Sequence, residues 1–263
     1  MSDIPLENAL STPASRRRIR AFDAFVLTLL MLALWQAIGS WTKGVAVSPP
    51  LQTFVYLFGL LRTGMFWDHA AATLAAFLLA FALSALIGLA FGLIFGIRRF
   101  AGDVAEPMLA GFYTIPKVTL YPVVLLVFGL GMSAKVAFGV MHGLVPMTLF
   151  TLGAVRNLPP VLIRTAKVLR LSPGRTMLSV LVPACLPDIV NGLRISFSLS
   201  LLGVLIGEMF SSQRGLGFLL VNGMAQHNVP LSTAVVTVIV VVAIAANTLM
   251  LRVGGRAARR PNP

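Results

Sequence analysis

One cysteine, Cys185, stands in a chain of 263 residues. That excludes a disulfide framework and a cysteine metal site within the chain. Acid is scarce too: eight Asp and Glu face 21 Lys and Arg, and charged residues make up only 11%. Average soluble domains carry about 25% charge. A soluble globule of this size would have too little polar surface to cover itself. An apolar content of 57% excludes intrinsic disorder. No lysine follows a glycine, so the phosphate-cradling GxxxxGK(S/T) loop is absent. The chain cannot hydrolyse ATP by that device.

What is present is long apolar sequence. Mean hydropathy is +0.90, and the natural solvent for most of the chain is lipid. Six stretches are long enough to cross a bilayer, near residues 22–41, 70–96, 107–130, 134–155, 187–210 and 230–251. The first is too long and too well flanked for a signal peptide and lacks a small-residue cleavage site before Trp41. The predicted fold is all-α and polytopic, with a short helix pair between the fourth and fifth spans.

Basic residues set the orientation. Arg16, Arg17, Arg18 and Arg20 precede the first span, and Arg98 and Arg99 follow the second. Arg156, Arg164, Lys167, Arg170 and Arg175 lie between the fourth and fifth; Arg252, Arg256, Arg259 and Arg260 close the chain. The opposite loops hold only Lys43, Arg62, Lys135 and Arg214. Both termini and segment 156–186 are therefore expected in the cytoplasm. The net charge of +13 is topological, and a nucleic-acid partner is rejected because no soluble basic face can be drawn.

Gly88, Gly92 and Gly96 recur every four residues on the second span and let another helix approach. Packing inside the subunit and a contact between subunits both fit. Pro107, Pro116 and Pro122 interrupt the third span, with Lys117 between the last two. A broken helix in lipid must be covered by protein or line a watery cavity. It marks either a transport pathway or a packing kink. Glu208, late in the fifth span, is expensive unless paired or wet. It reads as a gate or pathway residue, or as a satisfied interface carboxylate. Arg194, near the inner end of the same span, is explained by snorkelling.

An intramembrane protease would need a serine–histidine pair or two aspartates within spans. His142 alone is well inside a span, and no GxSxG-like turn accompanies Ser196, Ser198 or Ser200. Asp23 and Asp188 sit at expected helix starts. Gly129, Gly131 and Ala134 loosely fit GxGxxA but read as a turn at the end of an apolar span. No catalytic residue and no cofactor is assigned.

Pro159 and Pro160 start a short helix over 161–169, and Ser172 with Pro173 reads as an N-cap and first-turn proline of a second. Pro183 and Pro187 are expected to mark the turn into the fifth span. Helices this short are marginal alone in water, so this pair needs something to pack against.

The segment resembles the cytoplasmic "EAA" loop of binding-protein-dependent ABC importer permeases. Arg164, Thr165 and Ala166 stand at Glu-Ala-Ala, Arg170 at the turn glycine, Val180 at Ile, and Val182-Pro183 at Leu-Pro. The acid is thus reversed to Arg164, and the turn at Arg170 must be built without glycine. Ile115-Pro116 through Tyr121-Pro122, then Phe128-Gly129-Leu130-Gly131 and Ser133-Ala134-Lys135, look like the IP…P…FG.G…K stretch of the nitrate, sulfonate, taurine and thiamine-precursor branch. Leu186-Pro187, Gly192-Leu193-Arg194, Gly207-Glu208-Met209 and Gly215-Leu216-Gly217 resemble its LP…GLR…E…GLG run.

The resemblance implies a permease domain over 65–252, with its coupling loop at 156–186. A tail at 1–21, a first helix and outer loop at 22–64, and a tail at 253–263 flank it. It implies a bacterial inner-membrane subunit without its own ATPase site. Its partners would be a second permease copy, usually identical, two ATP-binding subunits under the cytoplasmic loops, and an extracytoplasmic binding protein. The coupling residues would be Arg164, Thr165, Ala166, Arg170, Val180, Val182 and Pro183, with Ala166 against the ATPase. Pro116, Lys117, Pro122 and Glu208 would belong to the pathway or gate. An ion-gradient-driven secondary transporter is the alternative, and its ionisable candidates are Glu208, His142 and Lys117. A non-transporting assembly factor is the third class.

Overall fold

The computed structural model describes residues 13–257. The side chains of Arg16, Arg17, Arg18, Arg20, Arg252 and Arg256, with Arg259 and Arg260 entirely, lie outside the described part, as do most of the 1–21 and 253–263 tails. Among the described residues every regular element is helical. In order these are α1 (Pro13–Trp41), α2 (Pro50–Leu60), α3 (Gly64–Ile97), α4 (Arg99–Thr114), α5 (Tyr121–Phe128), α6 (Met132–Arg156), α7 (Pro160–Val168), α8 (Pro173–Thr176), α9 (Val182–Ser211), α10 (Leu216–Ala225) and α11 (Val229–Ala257). Five helices are long and apolar enough to cross a membrane. A sixth crossing is available if α4 and the Lys117–Phe128 segment count as one span bent by 90°.

The helices α3, α6 and α9 form the core, and glycine lets them close. A Cβ at Gly88 would stand 2.7 Å from Met147 Cβ, and one at Gly96 2.6 Å from Val155 Cβ; at Gly92 it would strike the Thr151 side chain. The glycine stripe of α3 thus serves contact with α6 inside the chain. On α6's other flank, a Cβ at Gly139 would lie 2.7 Å from both Ala80 Cβ and Val204 Cγ2, and one at Gly203 would come 2.8 Å from the Phe138 carbonyl. In lipid such close van der Waals packing replaces the hydrophobic drive between helices. The peripheral helices α1 and α11 keep most of their apolar surface exposed. Trp35 Nε1 anchors α1 by donating to the Ser48 carbonyl at 2.9 Å.

The third span departs from expectation in where it breaks. Pro107 sits inside α4 without ending it, and α4 begins at Arg99. The break falls at Ile115, whose backbone is extended (φ −64°, ψ 131°), as the residue before a proline prefers. After Pro116 a 3-10 turn runs over Lys117–Leu120. Pro122 then lies in the first turn of α5, where its missing N–H costs nothing. Gly129 (φ +71°) and Gly131 (φ +105°) make the turn into α6.

The entrance to the fifth span also differs. Ser172 does cap α8, its hydroxyl accepting the Arg175 N–H at 3.4 Å. No turn follows at Pro183 or Pro187. A π turn over Met177–Leu181 leads directly into α9, with Pro183 in its first turn and Pro187 inside it. The wider turn relieves the clash a proline ring makes with the carbonyl four residues back. Asp188 therefore lies in the second turn of α9 rather than opening it.

Candidate functional site

Lys135 and Arg156 lie near opposite ends of α6. Their 21-residue separation spans about 32 Å of helix, about the thickness of the hydrocarbon core. A distinct polar assembly sits at each end.

At the Lys135 end, four consecutive residues are each held by one side chain. Lys135 Nζ donates to the Arg214 carbonyl at 2.7 Å, and His69 Nδ1 accepts the Gly215 N–H at 3.0 Å. Thr73 Oγ1 accepts the Leu216 N–H at 2.8 Å, and Glu208 accepts the Gly217 N–H at 3.0 Å. The first N–H groups of α10 have no intrahelical acceptor, and these groups, drawn from α3 and α9, supply one each. The Thr73 hydroxyl donates to the Glu208 carboxylate at 2.8 and 3.0 Å, and Lys135 Nζ lies 3.5 Å from it. Glu208 is fully buried. It is a paired carboxylate that locks α10 onto α3, α6 and α9. The sequence singled out Glu208 but not His69 or Thr73, which lie 139 and 135 residues away along the chain; an acid facing a distant basic residue was the one signal available.

The bend of the third span carries the other pathway candidates. Pro116 and Pro122 are exposed, while Lys117 is only 9% exposed. Lys117 Nζ donates to the Tyr113 carbonyl at 3.1 Å and stands 4.7 Å from the Tyr113 ring centroid. Tyr121 then packs edge-on against Phe138 and donates to the Gly207 carbonyl at 2.8 Å, tying the bend to the core. Pro116, Lys117 and Pro122 are not among the hydrogen-bond and ion-pair partners of Glu208 described above. His142 is buried and bonded through Nδ1 to the Phe138 carbonyl at 2.9 Å. Arg194 Nε donates to Asn247 Oδ1 at 2.9 Å, bridging α9 to α11.

At the Arg156 end, the arginine grips Asp103 at 2.6 Å and Glu106 at 2.7 Å and donates to the Arg99 carbonyl at 3.1 Å. This fastens α4 to the last residue of α6, just before the loop. The helix α7 ends in a left-handed turn: Arg170 has φ +49°, the Leu171 N–H reaches the Ala166 carbonyl and the Arg170 N–H the Lys167 carbonyl, each at 3.0 Å. That is the hydrogen-bond pattern usually closed by glycine, here built with arginine.

Four of the expected coupling residues, Thr165, Ala166, Val180 and Pro183, line one hollow between α7 and the start of α9. Arg164 and Arg170 are exposed outside it, and Val182 is half-buried. Ala166 is 2% exposed in the single chain, so this chain's own residues cover most of it and what surface is left faces the hollow. A small residue there lets α7 lie down on the π turn and α9. The apolar surface the loop does present is Val161, Val168, Leu169 and Leu178, with Val168 80% exposed.

Known proteins resemble this chain in sequence and fold. The family described as "Binding-protein-dependent transport system inner membrane component" matches residues 84–262. A "Probable ABC transporter permease protein" of Haemophilus influenzae is 30% identical over 86% of this chain and 93% of its own length. The riboflavin transport system permease protein of Chloroflexus aurantiacus is 32% identical over 77% of this chain and 80% of its own length. Among solved structures, an inward-facing conformation of the MetNI methionine ABC transporter superposes with a TM-score of 0.63 at 19% identity, covering 72% of this chain and 94% of that one. That likeness establishes the fold. The chain belongs to the binding-protein-dependent inner-membrane components and is the membrane-spanning permease subunit of an ABC importer, a family in which ATP is hydrolysed by a separate subunit.

Proposed function

We propose that this permease works as a homodimer in the bacterial inner membrane, with both termini and the 156–186 loop in the cytoplasm. Two ATP-binding subunits dock beneath the two loops, and an extracytoplasmic binding protein delivers a small organic or oxyanion solute. The nitrate, sulfonate, taurine and thiamine-precursor group is the solute class indicated. Relatives named for aliphatic sulfonate transport in Escherichia coli (29% identical) and riboflavin transport support a small organic solute. The coupling set is Arg164, Thr165, Arg170, Val180, Val182 and Pro183, with Ala166 as its buried support. Pro116, Lys117 and Pro122 line the moving third span, and Glu208 holds the outer end.

One observation carries this reading. The loop between α6 and α9 has exposed apolar side chains and four basic residues without an acid, at the end of α6 opposite Lys135. Apolar surface ringed by charge, outside the span, needs a protein partner. ATP can shift an inward-open to outward-open equilibrium only through contacts that differ between the two states, and this loop is where such contacts fit.

The functional test is reconstitution in vesicles. The chain alone should show no ATP hydrolysis and no uptake driven by a proton gradient. Adding the ATPase subunit and binding protein should produce both hydrolysis and ATP-driven uptake. Hydrolysis by the pure chain, or gradient-driven uptake without the ATPase, would overturn the reading.

Sidedness has its own test. With Cys185 replaced, Ser212→Cys should react with an impermeant maleimide on intact cells. Ser172→Cys, exposed in the loop, should react only after permeabilisation. The reverse pattern would invert the topology.

A further inference from the structure

Between the loop and the inner ends of α3 and α4 lies a cavity of about 950 Å³. Its walls are apolar, including Ile97, Leu158, Ile163 and Leu181, and Arg99 and Lys167 stand on its lining. Asp103 and Arg156 also line it; Arg156 is shared between Asp103 and Glu106, so that cluster keeps one negative charge. Among the described residues, neither Arg99 nor Lys167 has a carboxylate within ion-pair distance. The cavity therefore offers two cations without an ion-pair partner over an apolar floor, and its surroundings keep a net positive charge. A second hollow of about 520 Å³ adjoins it through Ile97 and runs up the outer face of α3 past Ala90, Leu93 and Ile94. From Ala90 to Ile97 it covers about 10 Å of helix, within the span that faces lipid.

We infer that this pair of hollows is a binding site for an anionic phospholipid. The phosphate sits between Arg99 and Lys167, and one acyl chain lies in the groove along α3. Free inorganic phosphate would satisfy the cations but leave the apolar floor wet; a neutral lipid would leave the cations unpaired. An anionic amphiphile satisfies both. Lys167 belongs to α7 and Arg99 to α4, so the bound headgroup ties the loop to the third span from outside the protein core. The site depends on the proposed topology only in placing this end at the cytoplasmic leaflet.

The test is lipid retention by the intact transporter, independent of transport. The complex is taken from nanodiscs of phosphatidylcholine doped with phosphatidylglycerol, and bound lipid is counted by native mass spectrometry. Wild type should retain phosphatidylglycerol selectively. R99Q with K167Q should weaken retention roughly 30-fold. A control, R175Q, removes an exposed cation of the same loop outside the cavity and should leave retention unchanged. If the double variant fails to assemble, K167Q alone should still weaken retention several-fold. Unaltered retention in the cavity variants would overturn the site. Equal loss in the control would show general attraction to the leaflet and also overturn it. Displacement of the lipid by millimolar inorganic phosphate would mark a free-anion site instead.

Discussion

Replacing Glu208 with alanine should lower the stability of the permease by about 3–5 kcal/mol, the scale for breaking one partner of a buried ion pair. The carboxylate has no exposed surface, and the Lys135 side chain 3.5 Å away is 5% exposed. Its removal strands that ammonium and leaves the Gly217 N–H and the Thr73 hydroxyl without their acceptor. Each stranded group adds a desolvation cost of about 1–3 kcal/mol. Glu208→Gln keeps an acceptor oxygen and should fall between wild type and alanine. Glu208→Leu paired with Lys135→Met should be less damaging than either single change, because no charge is left buried. The measurement is thermal unfolding of the detergent-purified protein, with proteolysis of residues 211–229 as a local readout. Transport should fall together with stability. A variant that folds as wild type but fails to transport would show instead that Glu208 meets the solute.

The contrast between Glu208 and its partners shows what the sequence could and could not carry. The five unbroken spans were legible because each is a long apolar run whose length matches the bilayer. The helices α2 and α10 were not, being 11 and 10 residues, too short to register as crossings. The start of α4 was hidden because Arg98 and Arg99 read as an end of apolar sequence rather than the start of a new helix, whose Asp103 and Glu106 pair with Arg156 of α6. Pro107 looked like a break and is not, since a helix can lose one hydrogen bond without ending. What breaks the helix is the extended residue before Pro116 followed by a 3-10 turn. The glycine stripe on α3 was legible as a close-packing face, but its partner α6 was not: one helix's pattern names no neighbour. Glu208 announced itself by cost alone. Which groups meet that cost, Thr73, Lys135 and the N-terminus of α10, is settled by how α3, α6 and α9 stack.

The same distinction sets the last expected result, at the loop. Val168→Asp and Leu169→Asp should each abolish ATP-driven uptake and weaken co-purification of the ATPase subunit by more than about 30-fold, the scale for losing an interface anchor. Both side chains are largely exposed in the single chain, Val168 by 80% and Leu169 by 64%. A carboxylate at either place is therefore free to hydrate, and the permease should insert and fold normally. Ala166→Asp should fail for another reason. Ala166 is 2% exposed at the base of the hollow it shares with Leu171, Val180 and Pro183, so an acid there is buried without a partner at a cost of several kcal/mol. It would lift α7 off the π turn and α9. Trypsin separates the two cases, since Arg164, Lys167 and Arg170 offer cleavage sites along the segment. Ala166→Asp should be cut quickly whether or not the ATPase is present. Val168→Asp and Leu169→Asp should be cut at the wild-type rate without the ATPase but lose the protection that docking gives. Wild-type uptake and co-purification in the Val168 and Leu169 variants would remove this loop as the coupling element, whatever Ala166→Asp does, because only those two substitutions leave the loop's own packing in place.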